Sequence, residues 1–149
     1  MQGFQQTTLP FGIVATDLDG DGKLDLAAAV RDPADATHGS VSTWIGKGDG
    51  TFKVPVSLPA GNAPLGLVRM DVDGDGKADL VTANSHGGDL SVLLGKGDGT
   101  FTKDLRLAAP AGADHGWLAT GDFNKDGKTD LVDVASGPAS VTVYLNTSH

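Results

Sequence analysis

The sequence predicts an all-β fold: a β-propeller built of four-stranded antiparallel blades, three to the chain. Three observations predict it. An acidic pattern, D-x-D-G-D-G-K-x-D-L in its first two copies, begins at Asp17, Asp71 and Asp122, so the repeats stand 54 and 51 residues apart. Each repeat holds four short apolar or β-branched runs separated by Gly-rich turns, and four strands recurring at that period read as a propeller blade. The composition agrees, since 22 glycines and 5% aromatic residues in 149 positions suit short strands and tight turns better than helices. One domain of 1–149 results, with blade 1 at about 11–58, blade 2 at about 65–108 and blade 3 at about 116–146.

At the start of the chain, Gly3 and Phe4 followed by Leu9 and Pro10 echo Thr51 and Phe52 with Leu58 and Pro59, and Thr100 and Phe101 with Leu107. The chain therefore begins partway through a repeat. Residues 3–9 read as an outer strand with no blade of its own.

The acidic loops come next. In loop 1, Asp17, Asp19 and Asp21 take positions 1, 3 and 5, Gly22 position 6, the Lys23 carbonyl position 7 and Asp25 position 9. Alternation lets a curved backbone aim three short side chains at one centre, the glycine permits the sharp turn, and the last carboxylate closes the site from the next strand. Loop 2 repeats this with Asp71, Asp73, Asp75, Lys77 and Asp79. Loop 3 has Asp122, Asn124, Asp126, Lys128 and Asp130, where a neutral amide replaces one carboxylate and weaker binding is expected. These are hard oxygen donors, so calcium is the expected ion at three sites; magnesium prefers a stiffer, wetter octahedron, and zinc prefers His or Cys. An EF-hand is excluded. It needs a Glu at position 12, where Ala28, Thr82 and Asp133 stand, and the chain has no Glu.

Each loop leads into a strand. In the second repeat the expected strands are 66–70, 80–84, 90–94 and 101–107. Pro55 marks the fourth strand of a blade as its outer edge, because proline is tolerated there and not in a central strand.

Between the third and fourth strands, G-K-G-D-G-T-F occurs unchanged at 46–52 and 95–101. Together with the acidic loops, this resembles the VCBS/FG-GAP repeat of integrin α-subunit propellers and of many secreted bacterial and fungal propellers, and Phe11-Gly12 resembles the FG half of the name. The resemblance covers essentially the whole chain. It implies a calcium-bearing propeller with the metal on the outer loops of the blades, and an extracellular or secreted setting. No Gly-Ala-Pro follows the loops, where Ala27, Val81 and Val132 begin the next residues, and this favours the bacterial type over an integrin.

The charge is concentrated in the loops. They hold eleven of the 19 acidic residues, so a net charge of −8 leaves the rest of the chain slightly basic and three calcium ions would bring the total to −2. No Lys/Arg cluster points to nucleic acid, and no apolar run is long enough to cross a bilayer. No signal pattern follows Met1, although a removed signal would look the same.

Three blades cannot close a ring, since propellers need about four to eight. The expected closure is homo-oligomeric: residues 3–9 complete the last blade of a neighbouring chain, giving a six-bladed dimer, with a nine-bladed trimer as the alternative. The sequence also reads as a fragment of a larger propeller. For function it suggests a non-enzymatic scaffold, with no Ser/His/Asp or Cys/His arrangement at motif spacing. The alternative is a lectin-like module binding a glycan or protein through Trp117, His115 and Trp44. Trp117 departs from Gly66 and Gly12 at its aligned positions, whereas Trp44 aligns with Leu93 and Tyr144 and reads as packing; His38 and His86 read as turn residues.

Overall fold

The computed structural model describes residues 9–32, 37–102, 105–109, 114–136 and 139–148. Three antiparallel sheets account for every strand among them. Sheet 1 runs β1 (Leu9–Thr16), β2 (Asp25–Arg31), β3 (Gly39–Trp44) and β4 (Val56–Ala60). Sheet 2 repeats it with β5 (Pro64–Met70), β6 (Asp79–Asn84), β7 (Asp89–Leu93) and β8 (Leu105–Ala108). Sheet 3 has β9 (Asp114–Gly121), β10 (Asp130–Ser136) and β11 (Ser140–Tyr144), with no fourth strand among the described residues. The all-β class and the four-strand unit match the expectation. The three described sheets do not by themselves form a closed ring. Residues 3–8 of the expected latch lie outside the described residues, and Leu9 heads β1, paired with Arg31.

The first outer strand begins later than its sequence suggests. Phe52 and Phe101 make single bridges to Gly46 and Gly95; β4 begins at Val56, and β8 is described from Leu105. The Phe101 ring turns into the junction between sheets 1 and 2, where it is 8% exposed. Pro59 lies within β4, an edge strand in which a missing donor costs no ladder bond.

The first strands of the sheets are neighbours, with β5 between β1 and β9. They meet at two glycines. A Cβ on Gly12 would stand 2.4 Å from the Leu65 carbonyl oxygen, and one on Gly66 2.7 Å from that of Gly116, so only glycine lets these backbones come so close. A bulge interrupts the register at the same place in all three sheets, between Pro10 and Ile13, between Pro64 and Leu67, and opposite Val134 and Ala135.

Two equivalent junctions make the core. Ala27, Ala29 and Val41 of sheet 1, with Leu18 of its loop, pack on Leu67, Leu80, Leu93 and Phe101 of sheet 2. The same register positions recur in Val81, Ala83 and Leu90 of sheet 2 against Leu118, Leu131 and Tyr144 of sheet 3. Small residues on one face receive large ones from the next, and each fully buried leucine such as Leu80 or Leu90 contributes about 1.5–3 kcal/mol relative to exposure. The second junction has no counterpart of Phe101 among the described residues. A cavity of about 380 Å³ lies there, lined by Val72, Val81, Leu107, Leu131 and Tyr144 among others.

Candidate metal centres

Each acidic loop joins the first strand of a sheet to the second, and its own aspartates shape it. In loop 1, Asp17 accepts from the Gly20 and Gly22 amides at 2.7 and 2.8 Å, and Asp21 from the Lys23 amide at 2.9 Å. Loop 2 repeats this through Asp71 at 2.8 and 2.9 Å and Asp75 at 2.9 Å. Gly20, Gly22, Gly74 and Gly76 all take positive φ, between 77° and 81°, where a Cβ would be strained. The carboxylates are thus turned inward by local bonds before any ion arrives.

The result is two groups of oxygen donors. Asp17, Asp19 and Asp21 bring carboxylate oxygens within 4.8 Å of one another, and so do Asp71, Asp73 and Asp79. Either triad could hold a metal ion. Burial raises the Asp79 carboxyl above the ordinary range against the pull of two amide donors, and the charges of Asp73 and Asp75 add to the rise. A cation is the partner such a group lacks. Part of that role falls to the lysines: Lys23 Nζ stands 2.5 Å from Asp21 Oδ2 and Lys77 Nζ 2.5 Å from Asp75 Oδ2. These bonds hold the Asp21 and Asp75 carboxyls below their usual range.

The position-9 aspartates also tie the fold together. Asp79 is fully buried and accepts from the Val72 amide through one oxygen and the Gly95 amide through the other, both at 2.7 Å. Asp25 does the same for Leu18 and Gly46, and Asp130 for Phe123 and Asn146. One carboxylate therefore joins the metal loop, the second strand and the turn after the third strand.

Loop 3 departs from this plan. The Asn124 amide donates to Asp126 at 2.9 Å, and Lys128 Nζ turns away to the Ser148 carbonyl. Its carboxylates form no triad among the described residues. Lys125 takes φ of 61° where Gly20 and Gly74 stand in the other loops. Lys125→Gly is therefore expected to stabilise the protein by roughly 0.5–1 kcal/mol, the left-handed penalty less the added unfolded-chain entropy, read as a shift in the urea midpoint. No gain would mean that the loop carries no strain there.

The three candidates for a ligand site part company. Trp117 on β9 is 71% exposed and shares a groove of about 360 Å³ with Phe11, Gly12, Leu65, Gly66 and Gly116. Trp44 is 6% exposed and packs with Ala28 and Val30, as its alignment suggests. His115 is a correction: it is fully buried, with Nδ1 hydrogen-bonded to the equally buried Asp133 carboxylate, and presents no face to a ligand. Sequence reasoning missed this pair. The signal was two departures in one repeat, His115 where Pro10 and Pro64 stand and Asp133 where Ala28 and Thr82 stand. Tyr144 lies near it, its hydroxyl pushed up by burial and then by the Asp133 charge. His38 and His86 are exposed in turns, bonded to Thr37 and Arg31.

A family model described as an FG-GAP-like repeat matches the chain twice, over residues 17–82 and 71–132. The search of curated proteins finds no match. Each matched stretch runs from the head of one acidic loop through the strands that follow it into the strand after the next loop.

Proposed function

Because the chain belongs to the FG-GAP-like repeat family, we propose that it is a calcium-binding propeller scaffold, non-enzymatic and extracellular, which closes its ring with a second copy of itself. Calcium is the choice because the donors are carboxylates on flexible, glycine-rich loops, which suit its adaptable coordination better than magnesium's rigid octahedron. When bound, the ion would neutralise loops that otherwise pack like charges together, with Asp17, Asp19 and Asp21 holding one ion and Asp71, Asp73 and Asp79 another.

The observation that carries the assembly is the far face of sheet 3. Val134, Val141 and Val143 are 41%, 68% and 48% exposed there. Their counterparts in sheet 2 are Ala83, Leu90 and Val92, which the next sheet buries to 8% or less. A face with the pattern of a blade junction calls for another blade. Trp117 limits how that blade sits: it occupies the position of Gly12 and Gly66, so the next inner strand cannot come as close to β9 as its predecessors do to one another. The closing junction is wider at the axis and is held from the outer strands and the loop end.

Light scattering after size exclusion tests this. In calcium the expected result is one species at twice the 15.1 kDa chain mass, lost in chelator; three times that mass would mean nine blades, and a monomer in calcium would end the self-assembly reading. A second reading rests on the exposed indole of Trp117 beside Phe11, a flat apolar surface of the kind that stacks on a sugar ring. A glycan array separates the two.

A further inference from the structure

We propose that Phe123, on loop 3, is the docking point for the Gly-rich turn 46–52 of a second copy; the proposal rests on the self-assembly reading and locates its contact. The two halves of this contact already meet inside the chain. Leu18, at position 2 of loop 1, is 2% exposed because the turn 95–101 of sheet 2 covers it. Gly99 of that turn donates its amide to the Leu18 carbonyl at 3.1 Å. The fit is tight, for a Cβ on Gly99 would stand 2.8 Å from Ile45 Cδ1 and 3.3 Å from Asp19 Cβ.

Position 2 of loop 3 and the tip of the first turn are each exposed. Phe123 is the position-2 residue of loop 3 and is 53% exposed. Gly50 is the counterpart of Gly99 in the first turn, and a Cβ built on it would meet nothing within 4 Å. Gly48, counterpart of the half-buried Gly97, is likewise exposed. Sheet 3 thus presents an exposed loop residue and sheet 1 an exposed turn tip, and the chain's own first junction shows how they fit. This is a head-to-tail surface, which closes into a ring when the rotation permits. The partner is a second copy because the turn that matches, G-K-G-D-G-T-F, is present at residues 46–52 of every copy, with Gly48 and Gly50 at its tip exposed. The Phe123 ring lies against Gly121 at the loop end of β9, four residues from Trp117 or roughly 13 Å along the strand, so the contact falls away from the indole that widens the axis.

The test compares wild type with Phe123→Ser by light scattering in calcium, together with hydrogen exchange at the Gly50 amide. The side chain is half-exposed and the Phe123 amide that Asp130 accepts is kept, so the variant is expected to melt within about 1 °C of the wild type at a concentration where both are monomeric. Phe123→Ser should need at least tenfold more protein to assemble, and Gly50 should exchange slowly only in the assembled species. A variant that assembles like the wild type, or a Gly50 amide equally exposed in both states, overturns the contact and leaves the scaffold reading standing. A wild type that stays monomeric in calcium removes both.

Discussion

Chelating calcium is expected to lower the melting temperature by roughly 6–32 °C from its value in 10 mM calcium, measured by circular dichroism at fixed protein concentration. Ions in exposed loops of extracellular modules bind at about 10⁻⁴ to 10⁻³ M, so 10 mM calcium is ten- to a hundredfold over the dissociation constant. Each site then adds about 1.4–2.7 kcal/mol to the native state. Two complete triads and a weaker third loop sum to roughly 3–8 kcal/mol, and a chain of this length moves about 2–4 °C per kcal/mol. The direction follows from the charges. Without metal, the triads of loops 1 and 2 keep their carboxylates within 4.8 Å, and the ammonium groups of Lys23, Lys53 and Lys77 offset them only in part. Calcium removes that cost in the native state alone, since the unfolded chain no longer gathers the ligands. A melting temperature unmoved by chelator would show that the loops are turns and nothing more. Full recovery with equimolar magnesium would move the assignment from calcium to any small divalent cation.

The loops were legible because their chemistry is local. Side-chain oxygens at positions 1, 3 and 5 around glycines of positive φ make the same bonds in loops 1 and 2, and no distant residue is needed to infer them. The inner strands were legible for a similar reason, since a short apolar or β-branched run follows each loop; β6 is buried at every position, so both of its faces are covered. What stayed hidden depends on neighbours far away in the chain. Asp25 and Asp79 look like ligands from the sequence, yet each also accepts an amide 21 or 16 residues away, and only the folded sheet brings those donors near. His115 and Asp133 meet across a bulge that shifts the register by one residue, so simple strand pairing does not align them. The burial of Phe101 depends on a pocket that sheet 1 helps to build. The proposed ring closure lies beyond the sequence for a deeper reason: it would be a property of surfaces between copies, and the sequence of one copy shows only the pattern of each surface.

Asp79→Ala is expected to cost roughly 3–5 kcal/mol in calcium, the largest loss from any single substitution in the loops, because it removes a metal ligand and strands two buried donors together. The amides of Val72 and Gly95 both point at this carboxylate at 2.7 Å in a place without solvent. Each unsatisfied donor costs about 1–3 kcal/mol. Asp79→Asn separates the two roles. Its amide keeps one acceptor, so one donor is stranded whatever the metal, but it also removes a charge that burial and the neighbouring Asp73 and Asp75 disfavour. In chelator those effects oppose each other, and a loss of about 1 kcal/mol is expected from the single missing bond. In calcium the relief disappears, because the ion has already compensated the charge, and the lost ligand adds to the deficit. The expected result is therefore a loss from Asp79→Asn that is clearly larger in calcium than in chelator, measured by urea denaturation in both. Asp25→Asn should likewise strand one of the Leu18 and Gly46 amides, but Asp25 is not among the gathered carboxylates of loop 1, so its loss should differ less between calcium and chelator. Equal losses in the two conditions would make the position-9 aspartate a backbone anchor alone, and the ion would then be held by positions 1, 3 and 5 with water completing its shell.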